Sequence, residues 1–317
     1  MTRRSAIVTN IQQDGNGHPG RSALAWLMYR AARWARHRSA VHAPADLERT
    51  TKESSYRAWR RHELARQLTD HFDVSWIRNR DVVDFGCGTG ELCTLLAANS
   101  PKTLVGVDKC VDAINRALAA TSRSEASGSC RLKFICNEWR DRLQLEDESV
   151  DVICCFDVVE HLPDASAIAR EWRRILRPHG RVWIWWSPWR APYGHHLESL
   201  IPLPWVHLLF SEQTLFAACA MLYDDPDFVP RMWDRDPATG QKKPNKWQHA
   251  QSFYPFLNRL TRRGFERIIR KAGLAITRCE THGFNGSRQR KTARMLLPIP
   301  LLGECFVSYY IYELAKR

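Results

Sequence analysis

The chain has 317 residues, 47 Lys and Arg against 34 Asp and Glu, a net charge of +13, and a hydrophobic fraction of 44%. That supports a substantial core in one or two domains, and no apolar run reaches the ~18 residues that a membrane span needs. The charge favours anionic partners, and the ten cysteines contain no C-x-x-C pair, so thiols such as Cys136, Cys154 and Cys155 are expected as small buried side chains in a reducing, cytoplasmic setting.

Residues 1–20 are polar, with Gly15, Gly17, Pro19 and Gly20, and their composition predicts disorder. Residues 22–38 read as a helix capped by Ser22. Leu24, Leu27, Met28, Ala31, Trp34 and Ala35 share one face, with Arg30, Arg33 and Arg36 largely off it. This basic helix has three readings: a packing helix or lid, a membrane-surface or partner-binding helix, or a transit peptide. A second helical region over 50–75 carries Tyr56, Trp59, Leu64 and Leu68.

The most informative stretch is Val82-Val83-Asp84-Phe85-Gly86-Cys87-Gly88-Thr89-Gly90-Glu91. An apolar run breaks into Gly-x-Gly-x-Gly, and Leu92, Leu95 and Leu96 then fall on one helical face. This predicts a strand over 81–85, a tight glycine turn that lets backbone approach a ligand, and a helix over 90–98. A dinucleotide turn has Gly or Ala where Glu91 stands. A second strand, 103–107, ends at Asp108, an acid placed to hold two ribose hydroxyls.

These residues resemble motif I of class I S-adenosylmethionine (SAM)-dependent methyltransferases. The resemblance implies that Gly86, Gly88 and Gly90 face the methionine part of SAM and that Asp108 binds the ribose. Asp84 would hold the turn or reach the methionine ammonium. N-terminal helices often cover the cofactor in this family, which would bring Tyr56 and Arg60 to cofactor or substrate.

A helix near 110–120 carries Val111, Ile114 and Leu118, and residues 121–130 read as a loop. The third strand, 131–136, runs into Asn137-Glu138-Trp139, where the family often has Gly-Asp-Ala. Glu138 would then accept from the adenine amino group, with Trp139 against the ring. After the fourth strand comes Phe156-Asp157-Val158-Val159-Glu160-His161-Leu162, which resembles the Asp, two apolar, Glu-His-Leu signature of small-molecule methyltransferases of the ubiquinone-biosynthesis type. Asp157 would stand beside the transferring methyl. A helix over 164–176, the turn Leu176-Arg177-Pro178-His179-Gly180 and a fifth strand over 181–186 follow, with Gly180 supplying the freedom the turn needs.

From 187 to 252 the family pattern stops. Eight prolines punctuate a segment rich in aromatics, read as a cap that decides substrate choice. Trp183, Trp185, Trp186, Trp189, Trp205, Trp233 and Trp247 either wall an aromatic or apolar site or fill the core. Residues 258–274 return to the core as a helix, with Thr261 as N-cap, Leu260 and Phe265 as a staple, and Gly273 at the end. The sixth strand is 274–280. The seventh, 305–314, is expected as an antiparallel edge after a loop carrying Arg288, Arg290, Lys291 and Arg294.

The expected fold is α/β: a Rossmann-like seven-stranded sheet with an antiparallel last strand, helices on both faces, an N-terminal helical extension and a cap inserted after strand 5. The division is 1–79 extension, 80–186 SAM-binding core, 187–252 cap and 253–317 the C-terminal part of the core.

Methyl transfer to O–H or N–H needs alignment and a base. The base candidates are His161, His195 and His196. His195-His196-Leu197-Glu198 also has imidazole and carboxylate donors, but adjacent residues rarely aim at one ion, and no metal is expected. The expected partner is a small molecule, with a lipid or quinone at a membrane surface as one variant. Nucleic acid is disfavoured: no Pro-Cys occurs, no Asp-Pro-Pro-aromatic follows strand four, and the basic residues are spread out.

Overall fold

Seven strands form one sheet in the order β3-β2-β1-β4-β5-β7-β6: β1 (Asp81–Phe85), β2 (Thr103–Asp108), β3 (Arg131–Cys136), β4 (Val150–Phe156), β5 (Leu176–Trp186), β6 (Leu274–Gly283) and β7 (Val307–Lys316). The helices are α1 (Ala23–Arg36), α2 (Pro44–Thr51), α3 (Glu53–His71), α4 (Glu91–Ala97), α5 (Val111–Thr121), α6 (Ala165–Ile175), α7 (Val206–Leu209), α8 (Glu212–Tyr223) and α9 (Arg262–Lys271). The structure, a computed structural model, describes residues 22–121, 130–138, 142–254, 256–283, 299 and 302–316. The expectations for residues 1–20, for Trp139 and for the basic loop with Arg288, Arg290, Lys291 and Arg294 lie outside the described residues, as does most of the 121–130 loop.

Two compact units are present: residues up to Leu47 together with His196–Ser252, and Glu48–His195 together with Phe253–Arg317. The larger unit holds the sheet. Side chains alternate across each strand, so odd and even positions meet different helices. Val83, Phe85, Ile153, Cys155, Val182 and Ile184 pack with Ile168 and Trp172 of α6 and Phe265 and Ile269 of α9. Val82, Leu104, Val152, Cys154 and Trp183 pack with Leu64 and Leu68 of α3, Leu92 and Leu96 of α4, and Ile114 of α5. Phe72 stacks on Trp183 at 5.0 Å, a pairing that contributes about 0.5–1.5 kcal/mol beyond its buried area.

The parallel strands β1 to β5 arise from crossovers, and β7 runs antiparallel between β5 and β6. The last strand is therefore antiparallel as expected but is not an edge; β6 is. Ile311 faces one core layer while Tyr310, Tyr312 and Leu314 face the other, and a strand buried on both faces belongs inside a sheet. Cys154 and Cys155 are buried, but Cys136 is exposed because β3 is the opposite edge. In α5 the buried residues are Ala113, Ile114 and Ala117, while Val111 and Leu118 are exposed.

The Ser22 and Thr261 caps form as the sequence predicts, and a third forms at Asp164. Ser22 accepts from Ala25 N, Asp164 from Ser166 N and Ala167 N, and Thr261 from Gly264 N. In the first residues of β5, where the pairing with β4 is irregular, the left-handed residue is His179 (φ 65°), not Gly180. Gly180 is needed for space: a Cβ there would stand 2.9 Å from the Arg177 carbonyl oxygen.

In the smaller unit α1 packs on α8. The buried face of α1 is Ala25, Met28, Ala32 and Ala35. Leu24, Leu27 and Trp34, expected on the packed face, are 55%, 56% and 59% exposed. The alanines let two helices approach closely. Tyr29 donates to Asp225 at 2.8 Å, and Arg33 to Asp227 at 2.7 Å, which fixes that rotation. Buried Arg231 pairs with Asp46 at 3.3 Å and donates to the Val41 carbonyl at 2.7 Å. No described helix is long and apolar enough to cross a membrane.

Candidate active site

The site is built at the carboxyl ends of β1, β2 and β4, where strand order reverses between β1 and β4, the place where open α/β sheets bind ligands. Gly86, Gly88 and Gly90 have φ of 79°, 52° and 83°. All three lie in the left-handed region, where only glycine is unstrained. Gly86 N and Cys87 N both donate to the Val107 carbonyl, at 2.7 and 3.0 Å, folding the turn back over the end of β2. A Cβ on Gly86 would stand 2.2 Å from a methyl of Val158, whereas one on Gly88 would meet nothing within 4 Å. The turn is thus packed on one side and open on the other.

Asp108 braces this turn. Its Oδ2 accepts from Gly88 N at 2.9 Å and its Oδ1 from Cys110 N at 2.8 Å. The Asp108 carbonyl accepts from Asn137 N at 3.0 Å, which seats exposed Glu138 beside it at the end of β3. Asp84 lies beneath the turn and is buried. The Cys93 thiol donates to its Oδ2 at 3.1 Å, and burial pushes its pKa up to about 7.

Asp157 follows β4 with φ 58°, a conformation an Asp tolerates. Its N–H donates to the Trp185 carbonyl at 2.9 Å, and its carboxylate receives Arg60 of α3. One turn earlier on α3, Arg57 donates to Glu91 at 2.7 Å and to the Thr89 carbonyl at 3.2 Å. Two arginines of α3 therefore grip both the glycine turn and the tip of β4.

Glu160 is buried, and burial, followed by the nearby Asp157 charge, raises its pKa well above the usual carboxylate range. His161 Nδ1 lies 2.8 Å from the Phe256 carbonyl oxygen. A carbonyl only accepts, so Nδ1 carries the proton and Nε2 is the lone-pair nitrogen. Burial lowers the His161 pKa, which keeps the imidazole neutral. Asn258 clamps this turn, donating to the Val159 and Leu162 carbonyls at 2.7 and 3.1 Å and, through its backbone, to the Glu160 carbonyl.

Residues 83–184 match the family model described as "Methyltransferase domain". Residues 83–184 form a methyltransferase domain. The chain is similar to a ubiquinone biosynthesis O-methyltransferase of Pseudomonas syringae pv. tomato, 30% identical over 138 residues, 41% of this chain and 57% of that protein. To the enzyme of the same name from Neisseria meningitidis serogroup C it is 27% identical over 108 residues, 34% of this chain and 44% of that one. The chain spans about half the length of the curated relatives it matches. A solved geranyl diphosphate methyltransferase in complex with SAM is similar at a TM-score of 0.50 and 12% identity, over 88% of this chain and 92% of that one, a likeness of fold alone.

Within the methyltransferase domain, Gly86, Gly88, Gly90 and Asp108 are joined by direct bonds or by the turn itself, and Asp84, Glu138 and Asp157 lie around them. The two further histidines differ from His161. His195 has no exposed surface and packs edge-on to Tyr193, so it offers no face to a substrate in this conformation. His196, with φ 52°, begins the smaller unit. Trp183 and Trp186 are core residues, not a pocket wall. Sequence reading named Arg60 but missed Arg57, Glu160 and Asn258. Glu160 had a signal, as the Glu of Glu-His-Leu; Arg57 and Asn258 had none, because their partners are 32 to 99 residues away.

Proposed function

We propose that the chain methylates an oxygen or nitrogen nucleophile of a small molecule, with SAM as donor. The residues present fit that cofactor. The open side of Gly88 leaves room for a ligand against bare backbone, and the glycine turn presents the N-terminus of α4. Gly86, Gly88 and Gly90 would lie along the methionine part, Asp108 would take the ribose hydroxyls, and Glu138 the adenine amino group. When bound, SAM supplies an electrophilic methyl on a sulfonium, which leaves as a neutral thioether.

The chain's own tasks are alignment and proton removal. Asp157, held by its own N–H and by Arg60, stands at the tip of β4. His161 is the base we assign, and the observation that carries the reading is its bond to the Phe256 carbonyl. That bond holds a neutral imidazole with Nε2 able to accept a proton, which an O–H or N–H acceptor requires. His161→Asn is expected to lower turnover about 10²–10⁴-fold, the usual contribution of a positioned base. SAM affinity by calorimetry should stay within twofold of wild type. Release of S-adenosylhomocysteine across a panel of small phenols, alcohols and amines reads the turnover; equal turnover in the variant removes His161 from the role. The segment 187–252, where the family pattern stops, is the substrate-selecting cap in this reading.

One observation favours a lipid or quinone acceptor at a membrane surface. On α1, Leu24, Trp26, Leu27 and Trp34 are exposed, and Arg30 and Arg38 lie over the rings of Trp26 and Trp34 at 5.3 and 4.7 Å. Exposed tryptophans beside arginine suit an anionic interface. Sedimentation with phosphatidylglycerol vesicles, lost in Trp26→Ser/Trp34→Ser, supports this variant of the proposal; no binding to vesicles removes it.

A further inference from the structure

Away from the glycine turn, α3 ends against the edge strand β6 in a cluster of two histidines and a carboxylate. Glu280 and His282 are two residues apart on β6, so their side chains share a face. His71 is the last residue of α3. His71 Nδ1 and His282 Nε2 each lie 3.1 Å from the same oxygen, Glu280 Oε2. One donor atom from each residue lies within 4.8 Å of the other two. We infer that His71, Glu280 and His282 form a site for one divalent ion of the zinc class, which fastens the C-terminal end of α3 to β6.

The donor set supports it, because neutral imidazole and carboxylate are the nitrogen and oxygen ligands zinc takes. So does the spacing. Ligands about 2.1 Å from a tetrahedral ion stand about 3.4 Å from one another. Two of the three edges here are 3.1 Å, so a small adjustment admits the ion. A plain hydrogen-bond pair needs one histidine on the carboxylate; here two rings converge on one oxygen.

The ligands are also held from behind, as metal ligands are by their outer partners. His282 stacks on Tyr309 with centroids 4.6 Å apart and planes at 8°, and His71 meets the His282 ring edge-on at 4.8 Å. Arg278 Nε lies 3.4 Å from the other Glu280 oxygen, Oε1, leaving Oε2 to the imidazoles. Arg278 also donates to the His71 carbonyl, tying the helix end to the strand. The guanidinium opposes a cation, but the carboxylate stands between them. Side-chain exposures of 13% for His71, 36% for Glu280 and 31% for His282 leave one side open, so water reaches a fourth ligand position. The same helix carries Arg57 and Arg60 to the glycine turn and β4, so an ion at its far end would set how that helix is seated.

The test uses the full chain, stripped with a chelator and titrated with zinc chloride by calorimetry and with cobalt(II) chloride by absorbance. One equivalent should bind at this cluster. His282→Ala should weaken that binding at least 100-fold and Glu280→Gln at least 10-fold. The cobalt spectrum should lack a thiolate charge-transfer band, which separates this site from the ten cysteines. Zinc affinity equal to wild type in both variants, or a thiolate band, overturns the inference. If a variant misfolds, zinc-edge anomalous diffraction from crystals of the unaltered chain decides: a peak between His71 and His282 supports the site, and a peak elsewhere or none refutes it.

Discussion

Replacing Asp108 tests the proposed cofactor site most directly. Its carboxylate accepts from Gly88 N and Cys110 N, so the residue has a structural task as well as the proposed binding one. Each oxygen retains a lone pair for a ribose hydroxyl. A hydrogen bond to a charged acceptor contributes about 1.5–3 kcal/mol, so losing two hydroxyls' acceptor costs about 3–6 kcal/mol of binding, or roughly 10²–10⁴ in affinity. The structural task is smaller: two partly solvated backbone bonds contribute about 0.5–1.5 kcal/mol each. Asp108→Ala should therefore weaken SAM binding by two orders of magnitude or more while lowering unfolding free energy by about 1–3 kcal/mol. Asp108→Asn keeps one carbonyl acceptor but loses the charge, and should fall between. Calorimetric titration with SAM, paired with urea unfolding, separates the two effects. Equal SAM affinity in Asp108→Ala would refute the ribose assignment, whatever the stability change.

Three further perturbations probe the same corner. Asp84 is raised from 3.8 to about 7 by burial, so the fold favours its protonated form; its contribution is fully present below pH 3.8 and is lost as pH rises through 7. Asp84→Asn should therefore gain stability over wild type as pH rises from 5 to 9, by about 2–3 kcal/mol across that range, read from urea unfolding; a parallel pH profile in both would contradict the buried acid. Gly86→Ala sets a Cβ against Val158 at a φ of 79° and should cost about 2–5 kcal/mol, with Val158→Ala restoring the steric part in the double variant; a loss under about 0.5 kcal/mol would show that the turn relaxes freely. Arg60→Met leaves Asp157 without its cation and should lower kcat/KM at least tenfold, with Arg60→Lys recovering part; wild-type kinetics in Arg60→Met would mean that the pair only secures α3.

Much of the fold was legible because its signals are contiguous. Strands buried on both faces announce themselves as apolar runs, and the helix caps at Ser22 and Thr261 lie within three residues of the N–H groups they serve. Where the reading slipped, the deciding partner was distant. The exposed Leu24, Leu27 and Trp34 look like a core stripe until α8 and its Asp225 and Asp227 select the alanine face instead. The place of β7 inside the sheet depends on β6, which comes earlier in the chain and pairs with it from the far side.

The same distinction runs through the site. Gly86 to Gly90 need no partner outside the turn to be read, because left-handed backbone and bare Cα atoms are properties of glycine itself. Asp108 could be named because strand length fixes its distance from the turn. His161 could be named only as one of three base candidates, since nothing near it in sequence reveals the Phe256 carbonyl that sets its tautomer. Arg57, Asn258 and His71 are further cases, their partners 32 to 209 residues away. A motif records chemistry that one segment can hold alone. Groups that orient a base, seat a helix or gather an ion must approach from several sides, so they come from several segments and leave no spacing to read.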